Sequence, residues 1–135
     1  MLGILVVSHS EKAAEGIADV ARGMSGAADD VLVAGVGGND SGGLGVSVGK
    51  ILDALNAMLP KVEGVLLVPD LGSSILSSRG AIGMLSPEDA GRVLVANGPV
   101  LEGAMMAAVE ASAGSDLAAV ADAANDARNL DKSEH

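Results

Sequence analysis

Gly3-Ile4-Leu5-Val6-Val7-Ser8-His9-Ser10 is the stretch that decides the fold. A short β-branched and Leu run closed by small polar residues reads as a buried strand. Ser10 then stands as a helix N-cap ahead of Glu11 and Lys12, with Ala14, Ile17, Val20, Ala21 and Met24 spaced as an inward helical stripe. A strand that hands over directly to a helix places His9 at its carboxyl end, where ligands bind in open α/β sheets. The only other histidine is His135, the last residue, so histidine chemistry within the fold falls to His9.

The same strand-then-helix unit recurs along the chain. Gly26 and Asp29-Asp30 mark a turn into a second strand, Val31 to Val36. From Gly37 to Gly45 the sequence is so rich in glycine that nothing in it can pack, which predicts a mobile loop of the kind that carries function. A helix follows with Ile51, Leu52, Leu55, Met58 and Leu59 on one stripe, stopped by Pro60. The third strand, Gly64 to Val68, runs into Pro69-Asp70-Leu71-Gly72-Ser73-Ser74. Ser73 or Ser74 is the expected cap of the next helix, whose apolar side is Ile75, Leu76, Ile82 and Leu85. Ser86-Pro87-Glu88-Asp89 reads as a capped single turn with Pro in the first helical position. A fourth strand, Arg92 to Ala96, is broken by Gly98-Pro99. A helix from about Val100 to Ala113 then turns Ala104, Met105, Ala108 and Val109 inward. Ser115 should cap a last helix with Leu117, Val120, Ala121 and Ala124 inward, and residues 131–135 should fray. Strands each followed by a helix demand parallel pairing through right-handed crossovers. The expected fold is α/β: an open, mainly parallel four-stranded sheet in the order 2-1-3-4, helices on both faces, in a single domain over residues 1–130.

Composition narrows the function. A chain of 135 residues can bury a real core as one domain. It contains no Phe, Tyr or Trp, which removes the aromatic platforms used for base stacking. A net charge of −10 disfavours nucleic acid and anionic membrane surfaces. The absence of Cys removes disulfides, thiolate catalysis and Cys-based metal sites. No apolar run approaches the roughly 18 residues of a membrane span, and no basic-then-apolar leader precedes the first strand. The expectation is a cytoplasmic protein without membrane insertion. The acid excess also suits a salt-rich host.

Two motif matches fail on context. Gly45-Val46-Ser47-Val48-Gly49 fits a G-x-S-x-G nucleophile pattern, but a glycine loop rather than a strand leads into Ser47. Gly45 to Lys50 resembles a phosphate loop, yet it is one spacer short and has Ile51 where Ser or Thr belongs. The constellation that survives is His9 with Asp70. If strands one and three are neighbours, their ends meet at the switch point of the sheet. Asp70 can then hold one ring nitrogen of His9 and leave the other unprotonated and nucleophilic. The amides of Gly72, Ser73 and Ser74, with the hydroxyls of Ser8 and Ser10, could hold phosphate oxygens at that point. The same spacing also suits a structural His beside a helix start and an Asp in a turn, and spacing alone does not choose. No metal or cofactor is called for by these residues.

Ile4-Leu5-Val6-Val7-Ser8-His9-Ser10, Glu15-Gly16, Asp70-Leu71-Gly72-Ser73-Ser74-Ile75-Leu76-Ser77 and Pro99-Val100-Leu101-Glu102-Gly103 together carry a resemblance. They resemble, in matching order from Met1 to about Ala127, the mannose-type enzyme IIA family of the phosphotransferase system. Within it the chain looks most like the phosphocarrier subunits of phosphoenolpyruvate-dependent dihydroxyacetone kinases. The resemblance implies that the phosphocarrier protein HPr phosphorylates His9 in trans, that Asp70 orients the ring, and that Gly72 and Ser73 cradle the phosphoryl group. It further implies a homodimer, transfer to ADP held on a kinase subunit, and dihydroxyacetone bound on a third. The alternative within the family is a sugar-transport enzyme IIA that passes phosphate to an enzyme IIB. Those more usually carry Gly after the His and Gly-Gly-Ser-Pro after the Asp, where this chain has Ser10 and Gly72-Ser73-Ser74-Ile75. A receiver-like signalling domain would need an acidic pair after the first strand, which Ser8-His9-Ser10 does not offer.

Overall fold

The computed structural model describes residues 1–26 and 30–134, so the expected turn residue Asp29 and the terminal His135 lie outside the described residues. Along the chain the elements are β1 (Leu2–Ser8), α1 (Glu11–Met24), β2 (Val31–Gly37), α2 (Val48–Met58), β3 (Val65–Pro69), α3 (Gly72–Ile82), α4 (Pro87–Ala90), β4 (Val93–Val95), α5 (Val100–Ser112) and α6 (Leu117–Asp126). Single 3-10 turns follow at Leu59–Lys61, Ala127–Asn129 and Lys132–Glu134. In the last of these, Asp131 accepts from the amide and hydroxyl of Ser133.

All strand pairs are parallel, in the order β2-β1-β3-β4 that the sequence predicts. Strand side chains alternate between faces, so each buried strand feeds two cores. Ile4, Val6, Leu66 and Val68 point toward α1, α5 and α6. Leu5, Val7, Val65 and Leu67 point toward α2 and α3, where Ile51, Leu55, Met58 and Ala81 meet them. The register pairs Val7 with Pro69, and the Asp70 amide donates to the Val7 carbonyl at 2.9 Å. That register places the residues following β1 and β3 side by side.

The helix faces differ from those read in the sequence. In α1 the buried residues are Ala14, Ala18 and Ala21, while Val20 and Met24 are exposed. In α5 the buried residues are Gly103, Ala104, Ala107, Ala108 and Ala111, and Val109 is exposed. In α3 they are Ser74, Ser78 and Ala81, and Leu76 is exposed. The reason for α1 lies in β2. A Cβ on Gly35 would stand 2.5 Å from the Ala14 carbonyl oxygen, and one on Gly37 would stand 2.6 Å from that of Ser10. At such close approach only alanine fits on the helix side, so larger side chains turn to the flanks.

Two caps also move. Asp116, not Ser115, caps α6, accepting from the Ala119 amide at 2.9 Å; Asp and Ser are near-equal caps, and pattern alone does not separate neighbours. Helix α3 begins at Gly72 behind Leu71, without a side-chain cap, because the Ser74 hydroxyl is directed elsewhere. The glycine loop is likewise more ordered than its composition implies. Asn39 Oδ1 accepts from the amides of Ser41 and Gly43, and Asn39 Nδ2 donates to the Leu44 carbonyl. The Ser47 hydroxyl donates to Asp40, and Gly45 donates to the His9 carbonyl at 2.9 Å. A single amide side chain thus does the organising that apolar packing cannot.

The packing against β2 is testable. Gly35→Ala should lower stability by about 2 kcal/mol, since overpacking against fixed backbone costs about 1–3. Gly16→Ala, inside α1 with open space around the new methyl, should raise it by about 0.5–1 kcal/mol. Urea unfolding of the two variants should show these opposite signs.

Candidate active site

His9 and Asp70 meet where β1 and β3 end. His9 Nδ1 stands 3.1 Å from Asp70 Oδ1, and the His9 backbone N–H donates to Asp70 Oδ2 at 3.0 Å. The Ser8 hydroxyl donates to Oδ2 at 3.0 Å, and the Ser74 hydroxyl donates to Oδ1 at 2.5 Å. Both carboxylate oxygens are thereby occupied by donors from the two strand ends and the first turn of α3. Burial pushes the Asp70 carboxyl up, but the bonds from Ser74, the His9 amide, the His9 ring and Ser8 outweigh it and hold the group below its ordinary value.

The ionised Asp70 decides the histidine tautomer. A carboxylate only accepts, so Nδ1 carries the proton and donates, and Nε2 keeps its lone pair. The Ser73 hydroxyl lies 2.8 Å from Nε2 and donates to it. The His9 side chain remains 28% exposed against 17% for Asp70, so the pair has a buried end and an accessible end. The accessible end is Nε2.

The phosphate-binding set predicted from sequence divides into two. Ser8 is 3% exposed and Ser74 fully buried, and both hydroxyls lie on Asp70. Ser8 also accepts from the Ser10 amide, and Ser10 caps α1 by accepting from the Ala13 amide at 3.2 Å. Gly72 and Ser73 are different. Their amides open α3 and, among the described residues, donate to no protein acceptor, while the Ser74 amide closes on Leu71. Ser73 is the one hydroxyl of the set that touches Nε2. The sequence offers Ser74 as a helix cap or a phosphate contact; its bond to Asp70, four residues earlier across the start of α3, is a signal that reading missed. The Gly45 amide on the His9 carbonyl carries no such signal. Among the described residues no cluster of three or more His, Cys, Asp or Glu is arranged to hold a metal ion.

An oriented histidine whose solvent-facing Nε2 keeps its lone pair, beside free helix-start amides, can act as a nucleophile toward an anionic group. Residues 3–121 match the family described as PTS system fructose IIA component, EIIA-man. This chain belongs to the mannose-type enzyme IIA family. The IIA domain is 34% identical over 110 residues to PEP-dependent dihydroxyacetone kinase 2, phosphoryl donor subunit DhaM, of Listeria innocua, covering 82% of this chain and 86% of that one. It is 31% identical over 119 residues to the DhaM subunit of Escherichia coli, covering 87% of this chain. There it spans only a quarter of the relative's length, 25%. A crystallised protein of unknown function, EF1359, superposes with a TM-score of 0.82 at 31% identity over 93% of each chain. The EIIA component of the Streptococcus agalactiae phosphotransferase system shares the fold, with a TM-score of 0.67 at 18% identity over 100% of each chain.

The lowered value of Asp70 makes the IIA domain's stability depend on acid. A depressed carboxyl stabilises the fold fully above its unfolded value, and this is lost as pH falls through the folded one. Wild type should therefore exceed Asp70→Asn in urea stability at pH 6. The gap should narrow as pH drops below 3.8, the ordinary value.

Proposed function

We propose that this IIA domain is the phosphocarrier of a phosphoenolpyruvate-dependent dihydroxyacetone kinase, a phosphotransferase that works through phospho-His9. The observation that supports it best is Nε2, held as an acceptor and left open while Asp70 fixes Nδ1. The curated relatives, named as phosphoryl donor subunits, point the same way. In the first half-reaction the lone pair of Nε2 attacks the phosphorus of phospho-HPr. The P–N bond of the donor breaks, and its electron pair returns to the donor imidazole. His9 keeps the proton on Nδ1, so the phosphorylated ring is cationic, and Asp70 at 3.1 Å balances that charge. The free amides of Gly72 and Ser73, with the Ser73 hydroxyl turned from Nε2 to a phosphoryl oxygen, hold the transferred group.

In the second half-reaction a β-phosphate oxygen of ADP attacks, the P–Nε2 bond breaks, and His9 regains its lone pair. The chain has no nucleotide loop and no aromatic side chain, so ADP is held in line by a separate kinase subunit, which serves a dihydroxyacetone-binding subunit. The assembly is a homodimer in the cytoplasm; among the described residues no helix is long and apolar enough to cross a membrane. The family description also fits a sugar-transport IIA, for which the acceptor would be an enzyme IIB.

Incubation with enzyme I, HPr and phosphoenolpyruvate should give one acid-labile, base-stable phosphoryl group, absent from His9→Ala. An acid-stable adduct, or labelling of His9→Ala, rules the carrier out. Asp70→Asn should fold yet transfer far more slowly; losing the oriented tautomer in a serine-protease triad costs about 10⁴-fold. The phosphorylated domain should discharge to ADP on the kinase subunit and not to free ADP. Discharge to an enzyme IIB alone moves the protein to sugar transport.

A further inference from the structure

The side chains at the ends of β1 and β3 make a second arrangement that needs no phosphoryl donor. Asp70, His9 and Ser73 stand in a chain of contacts: Asp70 Oδ1 lies 3.1 Å from Nδ1, and Ser73 Oγ lies 2.8 Å from Nε2. The second distance falls within the about 2.6–3.2 Å over which a histidine can take a nucleophile's proton. Nδ1 already carries the ring's proton, so the Ser73 proton points at the Nε2 lone pair. Exposure rises along the chain of contacts, from 17% for the Asp70 side chain to 28% for that of His9, with Ser73 exposed. The orienting acid is sheltered and the hydroxyl faces solvent.

Such a set is recognised by geometry and roles rather than by chain order or spacing. The serine that does fit the G-x-S-x-G pattern, Ser47, is engaged elsewhere: its hydroxyl donates to Asp40 and accepts from the Lys50 amide to cap α2. Ser73 instead stands in the first turn of α3, an 11-residue helix whose Gly72 and Ser73 amides are unpaired among the described residues. An oxyanion forming on the acyl carbon bonded to Ser73 Oγ would meet these N–H donors and the positive end of the helix. The nucleophile's own amide is one such donor in the serine-protease triad. Leu71 and Leu76, on either side of Ser73 along the chain, add exposed apolar surface.

We propose that Ser73, His9 and Asp70 form a serine-hydrolase centre for small neutral carboxylic esters. Ser73 Oγ attacks the ester carbonyl carbon while its proton passes to Nε2. The tetrahedral intermediate collapses, the bond from the acyl carbon to the alcohol oxygen breaks, and Nε2 returns the proton to the departing alkoxide. Water then attacks acyl-Ser73 and gives a proton to Nε2, and Ser73 leaves with that proton as a free hydroxyl. Asp70 positions the ring and balances the imidazolium in both halves. The substrate class follows from the surroundings. A net charge of −10 repels anionic esters. An exposed nucleophile draws little remote binding energy, so labile esters rather than amides are within its reach. The proposal does not rest on the carrier reading, although the two activities compete for one lone pair.

The test uses the full chain with two probes, an alkyl fluorophosphonate and para-nitrophenyl acetate. The fluorophosphonate should label a single site, which peptide mass spectrometry maps to Ser73, and the label should be absent from Ser73→Ala and from His9→Ala. The acetate should be hydrolysed above the buffer rate. Ser73→Ala and His9→Ala should each lower that rate by about 10²-fold, the lower end of what a positioned acid–base group supplies. Hydrolysis that survives in Ser73→Ala and is lost in His9→Ala means that Nε2 attacks the ester directly, and it overturns Ser73 as the nucleophile. A label on any other residue, or neither label nor hydrolysis in the wild type, overturns the centre as a whole. Should Ser73→Ala fail to fold, the mapped site in the wild type decides by itself. None of these results depends on phosphorylation of His9, so the failure of one reading leaves the other standing.

Discussion

The bond network on Asp70 is the constraint from which the site follows. One carboxylate receives the ring and backbone of His9, the hydroxyl of Ser8 at the end of β1, and the hydroxyl of Ser74 in α3. These donors come from segments about sixty residues apart in sequence, joined only because β1 and β3 pair in parallel. With both oxygens taken by donors, the carboxylate resists protonation, and its charge dictates which nitrogen of His9 keeps its lone pair. A buried acceptor with fewer donors would drift upward in pKa and lose that control. Ser8 therefore bears on the ring through Asp70, and Ser74 does so both through Asp70 and from 3.3 Å of Nδ1 itself.

Close packing of small residues sets the position of that network. Without aromatic side chains to fill space, α1, α5 and α6 meet the sheet largely on alanine and glycine, while α2 meets it on Ile51, Leu55 and Met58. Helix α1 lies directly on the glycines of β2, so the Ser10 cap and the His9 backbone before it have no room to shift. The Gly45 amide then clamps the His9 carbonyl from the loop side. Precision at His9 comes from backbone against backbone rather than from large side chains locking together, and this tolerates little added volume.

The parts legible in the sequence are those with a short-range signal. Unbroken apolar runs such as Ile4 to Val7 and Val65 to Val68 mark strands buried on both faces, and their alternation with helices gives the sheet order. His9 and Asp70 could be paired because each follows a strand that the topology makes neighbours. Helix faces were less legible, since hydropathy gives Leu76, Met24 and Val20 to the core while the geometry gives those places to Ser and Ala. Scales of transfer energy do not record how near a helix axis approaches a sheet. Likewise glycine content hides the work of Asn39, whose bonds to Ser41, Gly43 and Leu44 are specified by loop geometry alone.

A phosphoryl carrier must hold its group well enough to keep it from water and loosely enough to pass it on, and if His9 is the carrier the arrangement around it would meet both demands with one charge. On the proposed carrier reading, a phosphorylated ring that retains its Nδ1 proton would be a cation and a good leaving group, and the Asp70 carboxylate 3.1 Å away would stabilise that cation. The serine donors on Asp70 would then bear on the leaving ability of Nε2 from the far side of the imidazole. Nε2 is reached from one side, beside Ser73 and the start of α3, so on the proposed reading a donor and an acceptor would have to come in turn. The movement this would ask of the site is small, the Ser73 hydroxyl turning away from Nε2.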